Sequence, residues 1–484
     1  MKNHYALRIP NYALNQAPIV DAMKKYSADG ALAFHTPGHK QGLGAHEFLK
    51  NLVTAEGLRQ EVSLMEELDD LHSPHSCIAA AESLAAKLWN ADDALFMVNG
   101  TTSAIQAMIL ATLKPNDLVF VPRNSHRAVT AGLILSGAIP IFLPVEFSAE
   151  LKIPLNVTVE TVRRAVKKFP QAKALILTSP NYYGVAADVE QIAEILHENK
   201  MLLLVDEAHG ANLQFCAELP ISAMDAGADL AAQSTHKLLG SMTQTSMLLV
   251  REKFVDAEKV RRAASLLQTT SPNYLLLASL DIARLQMFEV GREKISAAVE
   301  LSKFLRAEVK KISGLKTFDA VKNFSLDLMK VTVNVEGLGL TGIDAEKILR
   351  HEFKIQCELS DVANLLFIIS YADNESTIAT LIKKLKSMRN AQCVMRNENA
   401  EIFSQNEIST AISSPREIFF SASELVPIEK SIGRICAEEV TFYPPGIPIL
   451  NLGEKITPQV VSQILQLKSI GGRTLSDANF IKVI

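Results

Sequence analysis

The feature that most constrains this chain is a repeated alternation. Short, almost wholly apolar runs at residues 94–98, 118–121, 139–143, 174–177, 202–205, 230–233 and 246–250 are separated by stretches of helical spacing at 77–88, 103–113, 159–169 and 189–199. Runs of that length are too short for helices and too uniformly apolar for strands with one wet face. Strands buried on both faces and joined by helices predict an α/β fold, a mainly parallel sheet flanked by helices. In such sheets ligands sit outside the carboxyl ends of the strands. Those ends are where the polar residues gather: Asn99-Gly100-Thr101-Thr102, His126, Ser179-Pro180-Asn181-Tyr182-Tyr183, Asp206-Glu207-Ala208-His209 and Ser234-Thr235-His236-Lys237.

The rest of the chain divides around this core. Residues 1–45 form an N-terminal segment with a helix candidate at 17–26, followed by Phe34-His35-Thr36-Pro37-Gly38-His39-Lys40. Pro37 and Gly38 mark a turn. The two histidines and the lysine on it either face an anionic ligand or lie on the surface. Residues 46–310 make a large domain that ends in two helices with a polar break at Gln268-Thr269-Thr270-Ser271-Pro272-Asn273-Tyr274. Residues 311–387 change character: 329–335 alternates like a strand with one exposed face, 365–369 is a second strand, and a helix lies near 344–351. This predicts a smaller α+β domain. Residues 388–417 are polar and turn-rich and read as a linker; 418–484 return to the small domain. There, Tyr443-Pro444-Pro445-Gly446-Ile447-Pro448 is too rich in proline for a helix or a central strand, and an ordered loop is expected.

Composition excludes several classes. Of 484 residues 48% are hydrophobic and 21% charged, an ordinary globular balance, and the length calls for more than one core. A net charge of -4 without any basic stripe argues against nucleic acid as a partner. The apolar runs are too short to span a bilayer, and the N-terminus lacks the apolar centre of a signal peptide, so no membrane role is expected. The five cysteines are far apart and form no CxxC pair, which argues against a metal site or a disulfide framework and fits a cytoplasmic location.

The polar clusters suggest one chemistry. A lysine in a partly apolar site sheds its proton and becomes a nucleophile. Lys237 is therefore read as the amine that holds the aldehyde of pyridoxal 5'-phosphate as a Schiff base; the alternative is a solvated lysine on a loop. Strand, small-residue turn, helix is how a backbone presents free N–H groups to a phosphate. Gly100, Thr101, Thr102 and Ser234 are candidates for that duty, unless 99–102 is a plain strand-to-helix connection. The cofactor's pyridine nitrogen needs a carboxylate beside it. Asp206, ending an apolar strand, is placed to serve, although a helix-capping or turn role also suits it. His126 can stack on one ring face or be a structural histidine, and Ala208 is small enough to lie under the other. His209 and His236 flank the key residues.

These motifs, together with Asp69-Asp70-Leu71-His72, Arg123-Asn124-Ser125-His126, Thr269-Thr270-Ser271-Pro272 and the Tyr443–Pro448 segment, resemble the ornithine/lysine/arginine decarboxylase family of fold-type-I pyridoxal-phosphate enzymes, in its shorter bacterial form. The resemblance runs over almost the whole length. It implies the aspartate aminotransferase fold with a smaller α+β C-terminal domain. It implies Lys237 as the cofactor lysine, Asp206 at the ring nitrogen, His126 stacked on the ring, and Thr101, Thr102, Ser234 and His236 at the phosphate. It further implies a homodimer in which Thr269, Thr270 and Ser271 reach the partner's site. Three positions depart from the family pattern: Arg127 where a lysine is usual, Ser73 to Cys77 without the usual glycine, and Asn451-Leu452-Gly453-Glu454 without a proline.

The expected reaction is α-decarboxylation of a basic amino acid, arginine by analogy with short bacterial members, which yields agmatine for polyamine biosynthesis; lysine and ornithine are the alternative substrates. Lys237 or His236 would return a proton to Cα. Asp70, Glu358 and Asp361 are the candidate carboxylates for the substrate's distal cation. Transamination or aldol cleavage on the same scaffold, and a non-catalytic binding role, are the rival expectations.

Overall fold

The computed structural model describes residues 12–65, 67–388, 407–443, 447–469, 473–474 and 479–484. They fall into two compact units.

The first unit comprises Met1–Thr112, Gly210–Asn212 and Asp229–Gly291. Its strands Asp93–Met97, Ser246–Val250 and Leu230–Gln233 are antiparallel neighbours, with Ser246–Val250 in the middle. All five residues of that middle strand are buried, so its hydropathy reads like that of a parallel strand and does not reveal its direction. The helix Cys77–Leu88 packs on Asp93–Met97. Its buried face includes Ala80, Ala81, Ala85 and Ala86, whose small side chains permit a close approach. The helix Gly100–Thr112 lies against Ala257–Leu267. Residues 268–273 form the expected break before the helix Tyr274–Val309.

The second unit comprises Leu113–His209, Leu213–Ala228 and Arg292–Ile484. Here the strands Leu202–Asp206, Ala174–Thr178, Leu118–Pro122 and Ile139–Leu143 are parallel neighbours in that order. The helices Arg127–Ser136, Val159–Lys168 and Val189–Glu198 alternate with them along the chain. This is the mainly parallel sheet that the alternation predicts. Its outer strand is then covered by Ser409–Thr410, antiparallel to Ile139–Leu143. Ser409–Thr410 falls in the segment 388–417 expected as a linker, and the helix Pro415–Phe420 begins in it; 389–406 lie outside the described residues.

A three-stranded antiparallel sheet of Lys330–Asn334, Asn364–Ile368 and Leu359–Ser360 carries the small α+β part. One exposed face was expected at 329–335, yet all five residues from Lys330 to Asn334 are buried. Val331, Val333, Leu365 and Phe367 join the core formed with Leu305, Ile378 and Leu385. The opposite face is covered too: Leu366 packs with Ile153, Tyr183, Val185 and Leu326. Lys330 lies 3.8 Å from Asp327, and Asn334 donates to the side chain of Asn364 at 3.1 Å. A second layer buries the polar stripe, within which Lys330 and Asn334 find protein partners rather than water. At the C-terminal end Ile428, Val440, Leu450, Val460, Ile464 and Val483 form a further core. The proline-rich motif expected to be a loop has its ends on the paired strands Val440–Tyr443 and Ile447–Leu450, while 444–446 lie outside the described residues. No helix among the described residues is long and apolar enough to cross a membrane.

Candidate active site

The first unit holds the lysine. Strand Asp93–Met97 runs out at Val98, and Gly100 turns the chain into the helix Gly100–Thr112 with φ +74°. Only glycine takes that conformation without strain. The Gly100 N–H is engaged by the Gln244 carbonyl at 2.8 Å. The glycine therefore supplies the turn, and the amides of Thr101 and Thr102, which have no acceptor inside the helix, are left to meet a ligand. The Thr101 hydroxyl is buried, 2.6 Å from Ser234 Oγ and 2.8 Å from Ser246 Oγ. Ser246 donates to the Gln233 carbonyl at 2.7 Å. Because that carbonyl can only accept, the donors run in one direction: Ser234 to Thr101, Thr101 to Ser246, Ser246 to the backbone. Ser234 is the outer member and can exchange Thr101 for another acceptor. The Thr102 side chain is exposed.

Ser234 precedes the short helix Thr235–Leu238, which carries Lys237 one turn on, and the Lys237 N–H donates to the Ser234 carbonyl at 3.1 Å. His236 Nδ1 lies 2.6 Å from the Thr245 carbonyl and so carries the proton of that bond. Burial lowers the His236 pKa and the neighbouring Lys237 ammonium lowers it further, against the opposing pull of the Thr245 bond. At neutral pH the ring is thus neutral, with Nε2 an acceptor. Clustered amides and hydroxyls with a lysine one turn away suit a cofactor that carries both a phosphate and an aldehyde.

The second unit holds the acid. Asp206 ends the strand Leu202–Asp206 in register with Thr178; it is buried, and its Oδ1 accepts from the Ala208 N–H at 3.2 Å. Ser179 N–H donates to the Asp206 carbonyl at 3.1 Å. The His209 ring packs on Tyr182, with centroids 4.5 Å apart. Glu207 is buried and accepts from Ala223 N–H at 2.7 Å, a structural duty. His126 follows strand Leu118–Pro122 and caps the helix Arg127–Ser136, with its Nδ1 accepting from Ala128 N–H at 3.2 Å.

The proposed substrate carboxylates differ in how far they are committed. Asp361 is occupied by the Tyr183 hydroxyl at 2.7 Å and by the amides of Ala363 and Asn364, and burial raises its pKa. Glu358 is exposed. Asp70 accepts from His72 N–H at 2.9 Å through Oδ1. Thr269, Thr270 and Ser271 are exposed, and His72 Nε2 bonds the Thr269 carbonyl at 2.9 Å. Ser246, Gln244 and Gln268 were not foreseen as site residues. Each bonds to a partner more than a hundred positions away, and only three-dimensional pairing reveals its role.

A mainly parallel sheet with clustered phosphate-type donors and a lysine after one strand is the architecture of fold-type-I enzymes. The chain belongs to the Orn/Lys/Arg decarboxylase family: the family's major domain matches residues 17–332, and its C-terminal domain matches 397–473. It is therefore an amino-acid decarboxylase. It is 38% identical over 463 residues to the arginine decarboxylase of Halalkalibacterium halodurans, covering 94% of each chain. It is also 38% identical to the arginine decarboxylase of Bacillus subtilis, over 97% of this chain and 98% of the relative. Among solved structures it resembles the Francisella novicida lysine decarboxylase LdcF, with TM-score 0.84 and 22% identity over 97% of this chain and 81% of that one. The alanine–glyoxylate aminotransferase of Nostoc follows the fold more distantly, with TM-score 0.52 and 18% identity over 64% of this chain and 85% of that one.

Proposed function

We propose that this protein is a pyridoxal-phosphate-dependent arginine decarboxylase, releasing carbon dioxide and agmatine, a polyamine precursor, in the cytoplasm. The observation that carries the cofactor is the placement of Lys237 one helical turn from Ser234, whose hydroxyl meets Thr101 at the start of the helix Gly100–Thr112. The choice of arginine rests on the 38% identity, over nearly the full length, to relatives named for that activity.

When bound, the cofactor supplies a conjugated cationic ring that accepts the electron pair left by the departing carboxylate. Lys237 would offer its amine to the aldehyde carbon. Thr101 and Thr102 N–H, the Thr102 hydroxyl and Ser234 would hold the phosphate, with Gly100 shaping the turn. Asp206 would keep the ring nitrogen protonated by charge. His126 would pack on the ring, and Ala208 is small enough to lie beside it. Lys237 returns the proton to Cα: His236 has its Nδ1–H committed to Thr245 and its Nε2 unprotonated at neutral pH. His236 and His209 act as polar walls. Asp70, less committed than Asp361, receives the substrate's distal cation.

A homodimer completes the site through Thr269, Thr270 and Ser271. Supporting this, the apolar side chains of Leu32, Phe34, Leu43, Phe48 and Leu52 are each 81–91% exposed, and a second copy would cover them.

Incubating the purified protein and pyridoxal phosphate with arginine, lysine or ornithine, and identifying the amine formed, tests the reading. Agmatine as the main product is expected; cadaverine, putrescine or a keto acid would overturn it. Lys237→Ala should lose the visible absorbance of the lysine-bound cofactor and all turnover.

A further inference from the structure

We propose that Gln244 and Gln268 are positioning residues that set the phosphate turn by gripping Val98 from both sides; this rests on the cofactor assignment above. The antiparallel ladder between Asp93–Met97 and Ser246–Val250 ends at the pair Met97 and Ser246. Val98, one residue further on, is buried and would lose its backbone partners there. Two side-chain amides take over. Gln268 Oε1 accepts from Val98 N–H at 2.9 Å, and Gln268 Nε2 donates to the Phe96 carbonyl at 3.3 Å, so this amide imitates a neighbouring strand along the outer edge. Gln244 Nε2 donates to the Val98 carbonyl at 2.6 Å, and its own carbonyl accepts the Gly100 N–H at 2.8 Å.

Gln244 holds this pose with φ +87°, in the region that side-chain-bearing residues avoid. A strained residue that bonds on both sides of Asn99 fixes the turn at the point where the chain enters the helix Gly100–Thr112. Gln268 caps the helix Ala257–Leu267, which packs on that same helix, so the turn is held from a second direction. Neither glutamine is assigned a contact with the cofactor. Their effect passes through the directions of the Thr101 and Thr102 amides, and only a phosphate reads those directions.

The test compares two ligands that differ by that phosphate. The full-length protein, freed of cofactor, is titrated with pyridoxal phosphate and with pyridoxal, reading the visible absorbance of the lysine-bound form. The variants are Gln244→Gly, which removes the amide while tolerating positive φ, and Gln268→Leu, which keeps the bulk. Each should weaken pyridoxal phosphate roughly tenfold, the worth of one well-placed hydrogen bond, and leave pyridoxal within about twofold. At saturating pyridoxal phosphate the KM for arginine should stay within about twofold. Circular dichroism identifies a variant that has not folded, and the other then decides. Equal weakening of both ligands, or none of pyridoxal phosphate, overturns the positioning role. A wild-type protein that shows no visible band with pyridoxal phosphate overturns the cofactor assignment instead.

Discussion

Asp69 caps a helix that starts eight positions after it, and its removal should be among the costliest single changes in the first unit. Ser76 occupies the N-cap position of Cys77–Leu88, but its side chain makes no capping bond. Asp69 reaches in instead. Its Oδ2 accepts from the amides of Ser76, Ile78 and Ala79 at 2.7, 3.0 and 3.3 Å, and its Oδ1 from those of Asp70 and His75, both at 2.9 Å. The Asp69 backbone is itself bonded to the Tyr274 hydroxyl. In Asp69→Ala, water can reach the partly exposed His75, Ser76 and Ala79, whereas Ile78 is fully buried and keeps an orphan donor. An orphan of that kind costs about 2 kcal/mol and a lost cap about 1, together about 3 kcal/mol. Asp69→Asn should cost nearly as much, because its amide nitrogen would face donors. Hydrogen exchange over residues 77–88 reads this directly, and about 3 kcal/mol corresponds to a speed-up on the order of a hundredfold. A speed-up below about fivefold would show that the helix start is held by something other than this carboxylate.

Glu82 is buried, and burial pushes its pKa up to about 7 despite Arg261 at 3.0 Å and the Phe96 N–H at 2.8 Å. Its folded pKa lies above the ordinary carboxylate value of 4.5, so its contribution to stability is complete below that value and lost as pH rises through about 7. Glu82→Gln should flatten the fall in melting temperature across that window; an unchanged slope would refute the assignment. Tyr183→Phe removes the 2.7 Å bond to Asp361 and should lower stability by about 1–2 kcal/mol, measured by thermal melting. Arg123 pairs with Glu454 through two bonds, at 2.6 and 3.3 Å, in a largely buried setting. Arg123→Ala should cost about 3 kcal/mol and speed exchange around residues 451–456; no local change would count against a structural role for the pair.

Much of the fold was legible because buried strands announce themselves. Ile139–Leu143, Leu230–Gln233, Ser246–Val250 and the helix Cys77–Leu88 have the ends that hydropathy predicts. Direction was not legible, since Ser246–Val250 is as apolar as its parallel counterparts. Nor was the covering of Lys330–Asn334, because an alternating stripe looks the same whether it meets water or a second layer of the protein. Within the candidate site, the chemistry-bearing residues after each strand stood out. The supports did not: Ser246, Gln244 and Gln268 act on partners far along the chain, and no local spacing encodes such a bond.

Ser409 pairs with Phe142, so the outer strand of the parallel sheet is sealed by residues made long after it. At ribosomal speeds of ~5–20 residues per second the wait is roughly fifteen to fifty seconds. For that interval a nascent chain carries a naked, hydrogen-bond-hungry margin, of the sort that recruits stray strands from other molecules. Truncation before the sealing pair would make the condition permanent, and a shortened product should be found in inclusion bodies rather than in the soluble fraction.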